Sequence, residues 1–129
     1  MATWKDVQAF IHNNYKATDI SDDIIKLVFE TPGLRSQIVF VSRSTILEDQ
    51  EWAVVSSPFA KVGSVDLKTA LDEVSNYTVG GLYCVGDLLM VKDAVPLKNL
   101  DINELVDPML LVLHAADFIE KKLGTGDEF

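Results

Sequence analysis

Hydrophobic residues recur along this chain with two different periods, and the switches between them predict its elements. Trp4, Val7, Phe10 and Ile11 fall on one side of a helix, with Lys5, Gln8, His12 and Asn13 opposite. Thr3 stands where an N-cap belongs, and Asp6 three residues on completes a weaker form of the capping box. From Asp23 to Glu30 the period falls to two, and Ile25, Leu27 and Phe29 line one face of a strand. Pro32-Gly33 offers the fixed φ and then the positive φ of a type II turn. Ser36 to Arg43 predicts a second strand, and a looser acidic connection, Thr45 to Glu51, leads to a third at Trp52 to Val55. Pro58 is expected to end that strand, because proline cannot donate to a ladder.

Ser64 or Asp66 opens a second helix with a stripe of Leu67, Ala70, Leu71 and Val74, and Gly80-Gly81 closes the region. Leu82 to Val85 and Leu88 to Val91 flank Gly86-Asp87, the pair that a type II′ hairpin asks for. Asp101 and Glu104 can box a short turn from Ile102 to Val106. A fresh helix is then expected, with Asp107 as its cap and Pro108 in its first position, running to Lys121-Lys122 and stopping at Gly124. The order α-β-β-β-α-β-β-α is that of an α+β fold with helices laid on an antiparallel sheet. Residues 1–123 are read as a single domain, and 124–129 as an acidic tail that should fray.

The strands carry more apolar residues than one core face requires. Ile24 and Val28 oppose Ile25, Leu27 and Phe29; Ile38 and Phe40 oppose Val39 and Val41; Trp52 and Val54 oppose Ala53 and Val55. A sheet with one wet face should instead alternate apolar with polar. Either the chain's own helices cover both faces or a partner covers the second. The last helix poses the same choice: Met109, Leu110, Val112, Leu113, Ala116 and Ile119 make a broad face that Leu111, Ala115 and Phe118 extend around the cylinder. Trp4, Phe10, Ile24, Val28, Val39, Val41 and Trp52 are the candidate partner-binding residues, and Leu111, Ala115 and Phe118 the candidate dimer contact.

Charge narrows the partners. Against 11 Lys and Arg stand 20 Asp and Glu, a net charge of −9, so phosphate backbones and anionic membranes are disfavoured and a basic or partly unfolded client is expected. The N-terminus lacks a basic segment followed by an apolar run, and the longest apolar stretch, around Met109 to Leu113, is far short of a membrane span. A cytoplasmic location is expected. The lone Cys84, in a strand-like run, reads as a small buried hydrophobe.

Catalytic chemistry finds no foothold in these residues. His12 lies on the polar side of the first helix and His114 in the apolar run of the last, with no partner at ligand spacing. No zinc spacing, Gly-x-Ser-x-Gly elbow, Walker loop or Gly-x-Gly-x-x-Gly is present. Glu48-Asp49-Glu51 and Asp22-Asp23 lack the alternating oxygens and glycine of a calcium loop and read as solvated loops. No catalytic residue, metal site or cofactor is expected.

The closing segment carries a resemblance. Val95-Pro96-Leu97-Lys98-Asn99-Leu100-Asp101, then Ala115-Ala116-Asp117-Phe118-Ile119-Glu120 and Gly126-Asp127, are similar to the C-terminal part of YbjN-like bacterial sequences, where a strand exits through a proline-containing turn into a helix with an Ala-Asp-x-x-Glu pattern. The element order also resembles that of type III secretion chaperones. The resemblance implies a non-catalytic protein, usually a homodimer, that holds a partly unfolded polypeptide against apolar patches on its helices and sheet. Secretion chaperones often pair through their second helix, which corresponds here to Asp66–Asn76. The function expected is a protein- or peptide-binding module of chaperone-like or regulatory character. The alternative is a small-molecule sensor, with a closed cavity lined by Phe29, Phe40 and Leu113 as its mark.

Overall fold

The computed structural model describes residues 2–46, 50–77 and 81–123. Helix α1 (Trp4–Asn14) is followed by strands β1 (Ala17–Ser21), β2 (Ile24–Thr31), β3 (Arg35–Ile46) and β4 (Gln50–Lys61). Helix α2 (Leu67–Val74), strands β5 (Gly81–Val85) and β6 (Leu88–Pro96), a 3₁₀ turn (Ile102–Leu105) and helix α3 (Val106–Leu123) complete the chain. The strands form one antiparallel sheet in the order β1-β2-β3-β4-β6-β5. The α+β architecture predicted from the sequence is the one observed, with one strand more.

The local signals mostly act as read. The Thr3 hydroxyl accepts from the Asp6 N–H, and the Asp6 carboxylate accepts from the Thr3 N–H at 2.9 Å, a closed capping box. Asp66 caps α2 by accepting from the Thr69 N–H at 3.0 Å. Val85 pairs with Leu88 across the two-residue Gly86-Asp87 loop, and Gly86 has the positive φ of +59° that a type II′ turn needs in first place. Glu104 accepts from the Asp101 N–H at 2.8 Å, and α3 starts directly after this turn, at Val106. That start is earlier than expected, yet Pro108 still falls in the first turn, where its missing N–H costs no helical bond.

Two expectations are corrected and one strand is added. Ala17–Ser21 forms edge strand β1, although Ala17 and Ile20 are its only apolar residues. Pro58 does not end β4. The ladder to β3 stops at Phe40↔Ser56, so a proline two residues on loses no bond on that side, and a bulge between Pro58 and Ala60 keeps the pairing with β6. Where β3 and β4 part, side chains replace the ladder: Gln37 Nε2 donates to the Pro58 carbonyl at 2.6 Å, and Ser57 Oγ donates to the Ile38 carbonyl. Cys84 is exposed on β5 rather than buried, because β5 is an edge strand. Gly80, Glu48-Asp49 and the tail 124–129 lie outside the described residues.

The core lies on one side of the sheet. Register places Ile25, Val41 and Val55 in one row and Leu27 and Val39 in the next, and all are buried. Against them pack Trp4, Val7 and Ile11 of α1, Ala70 and Val74 of α2, and Met109, Val112, Leu113, Ala116 and Ile119 of α3. All three helices join this single cluster, which takes its strand residues from one face, so among the described residues the opposite face has no helix of its own. Burying these side chains is the main stabilising contribution to the fold, worth about 1.5–3 kcal/mol for each large one.

Candidate partner-binding face

The helix-free face of the sheet is built by the alternate residues of the same strands. Reading the register across β2, β3, β4 and β6, one row runs Ile24, Ser42, Val54, Ala94 and the next Lys26, Phe40, Ser56, Lys92. Beyond them Val28 pairs with Ile38, and Pro58, Met90 and Tyr83 line up towards the β5 edge. Ile24, Ile38, Phe40, Trp52 and Val54 are half-buried and Val28 is 58% exposed, whereas Ser56 and Met90 at the β4–β6 end of the face are buried; none belongs to the core cluster. The reason is sequence-local: in each strand both parities are apolar, so closing the core on one face leaves a second apolar face behind.

Lysines frame this face. Lys26 and Lys92 flank Phe40 and Ser56 in one row that runs on to Thr18 in β1 and Gly81 in β5, Lys61 pairs with Leu88 farther along the face, and Lys16 lines a shallow depression at the β1–β2 side with Thr18, Ile20, Lys26 and Val28. The Lys92 ammonium rests over the Tyr83 ring, 4.7 Å from its centroid. Among the described residues none of these lysines forms an ion pair, whereas Lys68 and Lys122 elsewhere pair with Asp72 and Glu73.

The residues singled out from the sequence divide between the two sides. Ile24, Val28 and Trp52 lie on the helix-free face. Val39 and Val41 do not: they pair with Leu27 and Ile25 and are fully buried under the helices, which corrects their assignment to a partner-binding surface. Trp4 is buried too, its indole N–H donating to the Asp22 carbonyl at 2.7 Å, and Phe10 packs half-buried against the core and edge-on to Tyr15. Ile38, Phe40 and Val54 take that place instead: the register sets them on the open side.

On α3, Ala115 is buried and Leu111 half-buried, so of the expected dimer contact only Phe118, 47% exposed, reaches the surface. It stacks on His114, with Leu110 exposed one turn earlier, which makes a narrow stripe on the solvent side of the helix. Leu67 and Leu71 of α2 are exposed, while Glu73 is drawn inward against Lys122 and Tyr77.

No closed cavity between helices and sheet can be lined by Phe29, Phe40 and Leu113 together, because Phe29 pairs with Gln37 on the core side and Phe40 with Ser56 on the other. His12 does meet a carboxylate, with Nε2 2.8 Å from Asp19 Oδ1, but both side chains are exposed and, among the described residues, neither hydrogen-bonds a further side chain. The pair ties α1 to β1. Asp23 and Glu51 both engage Arg43, and the Glu51 hydrogen bond at 2.7 Å holds the guanidinium above its ordinary pKa. Among the described residues no group of three or more His, Cys, Asp or Glu is placed to hold a metal ion. No described helix is long and apolar enough to cross a membrane.

No protein-family model and no curated protein sequence matches this chain.

Proposed function

We propose that the chain is a non-catalytic protein- or peptide-binding module of chaperone-like or regulatory character, acting in the cytoplasm. One observation carries the reading: a sheet face with apolar side chains from several strands, outside the core cluster and without a helix over it. Monomeric proteins seldom leave such a contiguous patch open, and patches of this kind mark interaction sites. Peptides engage such modules in grooves or along sheet edges, and both are offered here by the same face and its neighbouring edge strands. The resemblance to YbjN-like sequences and to secretion chaperones agrees with this role and with a homodimeric form.

The test uses a reduced, alkylated polypeptide that stays unfolded. The wild-type chain should retain it on a column, and a Phe40→Asp, Val54→Asp double variant with unchanged circular dichroism should not. Equal retention by the variant, or none by the wild type, would overturn the reading.

A further inference from the structure

We infer that the helix-free face takes an amphipathic helical segment of another protein whose apolar stripe ends in acidic residues. The inference rests on the binding-module reading and adds the charge and shape of the occupant.

The charge comes first. The chain as a whole carries −9, yet the charged side chains on this face are Lys16, Lys26, Lys61 and Lys92 against Glu30 alone. Removing an ammonium from water under an apolar partner is costly unless a counter-charge arrives with that partner. Among the described residues no carboxylate pairs with these lysines, so a partner that covers them has to bring one. This reverses the basic client that net charge alone suggests.

The shape follows from the register. Lys26 and Lys92 lie three strand spacings apart with Phe40 and Ser56 between them, a span of about 14 Å. A helix covers that distance in about ten residues. On the other face α3 already contacts β2, β3, β4 and β6 in this crossing manner. An apolar stripe laid over Phe40, Val54 and Ile38 would put acidic residues at its two ends beside the two lysines.

Other occupants fit less well. A second copy docked row on row would set lysines against lysines. An anionic bilayer would meet the acidic remainder of the surface within about a Debye length of 8 Å, whereas a short segment meets only the face.

Two fluorescent peptides of about twelve residues, long enough to span the row, test this. They share one leucine stripe and carry glutamates or lysines at both ends. The wild type should bind the glutamate peptide about tenfold more tightly or better, and a Lys26→Glu, Lys92→Glu variant should reverse the preference. Phe40→Asp should abolish binding of both. Equal or tighter binding of the lysine peptide, still dependent on Phe40, would overturn the charge and leave the binding module standing. Binding of neither peptide would overturn both. A dimer dissociated by Phe40→Asp, or preferential binding to phosphatidylserine vesicles, would give the face to a different occupant and overturn the inference.

Discussion

Arg35 in β3 and Asp117 in α3 stand 82 positions apart in sequence, and the Arg35 Nε donates to Asp117 Oδ1 at 3.0 Å. The same guanidinium reaches Glu120 Oε1 through Nη2 at 3.2 Å, and both carboxylates are almost wholly withdrawn from water. The acid residues of the Ala-Asp-x-x-Glu pattern are therefore turned inward, where they pin the last helix to the β2–β3 end of the sheet. They do not form an exposed acidic site.

Removing Arg35 would leave two carboxylates buried without this counter-charge. Arg35→Met should destabilise the fold by about 3–5 kcal/mol, and Arg35→Lys by less, since a lysine keeps the charge without the two-pronged geometry. Urea unfolding of the variants measures both. A loss under about 1 kcal/mol for Arg35→Met would show that the pair contributes as little as a surface ion pair.

Neighbouring residues on opposite faces give a direct test of which side is open. Val39→Asp places a charge in the core, among Leu27 and the helices, and should cost more than about 4 kcal/mol or prevent folding. Phe40→Asp, one residue on, places the charge beside Lys26 on the open face and should cost about 1 kcal/mol. Comparable losses at the two positions would mean that both faces are covered in solution.

Much of this fold is legible in the sequence where a local rule decides alone. Thr3 with Asp6, Gly86-Asp87 and the helical stripes are such cases, and each requires only neighbours in the chain. Strand β1 escaped because two apolar residues in five do not make a period. The full length of β4 escaped because Pro58 obeys the rule for prolines only once the pairing on each side is known. The candidate face was half legible. Alternation showed that both parities of β2, β3 and β4 are apolar, but a period of two looks the same from either side. Pairing register and helix placement decide that Val39 is core and Phe40 is surface, and both are long-range facts. The Arg35–Asp117 pair is equally long-range, and nothing near either residue announces it.

The β2–β3 connection stores a small strain. Pro32-Gly33 behaves as a type II turn would ask, with Gly33 at φ +81°, but Thr31 pairs with Arg35, so the loop holds a third residue. That residue, Leu34, sits at φ +59° with its side chain fully exposed. A left-handed conformation costs an ordinary residue about 1–2 kcal/mol, and nothing that Leu34 packs against offsets it. Leu34→Asn should stabilise the protein by about 1 kcal/mol and raise the melting temperature by about 3–5 °C. An unchanged or lower melting temperature would show that Leu34 makes a compensating contact.

Tyr77 sets the expected behaviour at alkaline pH. Burial pushes its phenol above the ordinary tyrosine value, and the hydrogen bond from its hydroxyl to Glu73 Oε1 at 3.2 Å adds to the shift, because a phenolate there would face a carboxylate. As pH rises, the unfolded chain gives up this proton first, at the ordinary pKa of about 10, while the folded chain still holds it. The contribution is complete below that value and is lost progressively as pH climbs through the higher folded one. Tyr77→Phe should cost about 0.5–1.5 kcal/mol at pH 7 through the lost hydrogen bond. Between pH 9 and pH 11, however, its stability should fall less steeply than that of the wild type, which narrows the gap between them. Urea midpoints at matched pH values decide the matter, and curves that stay parallel across that range would remove Tyr77 as the cause.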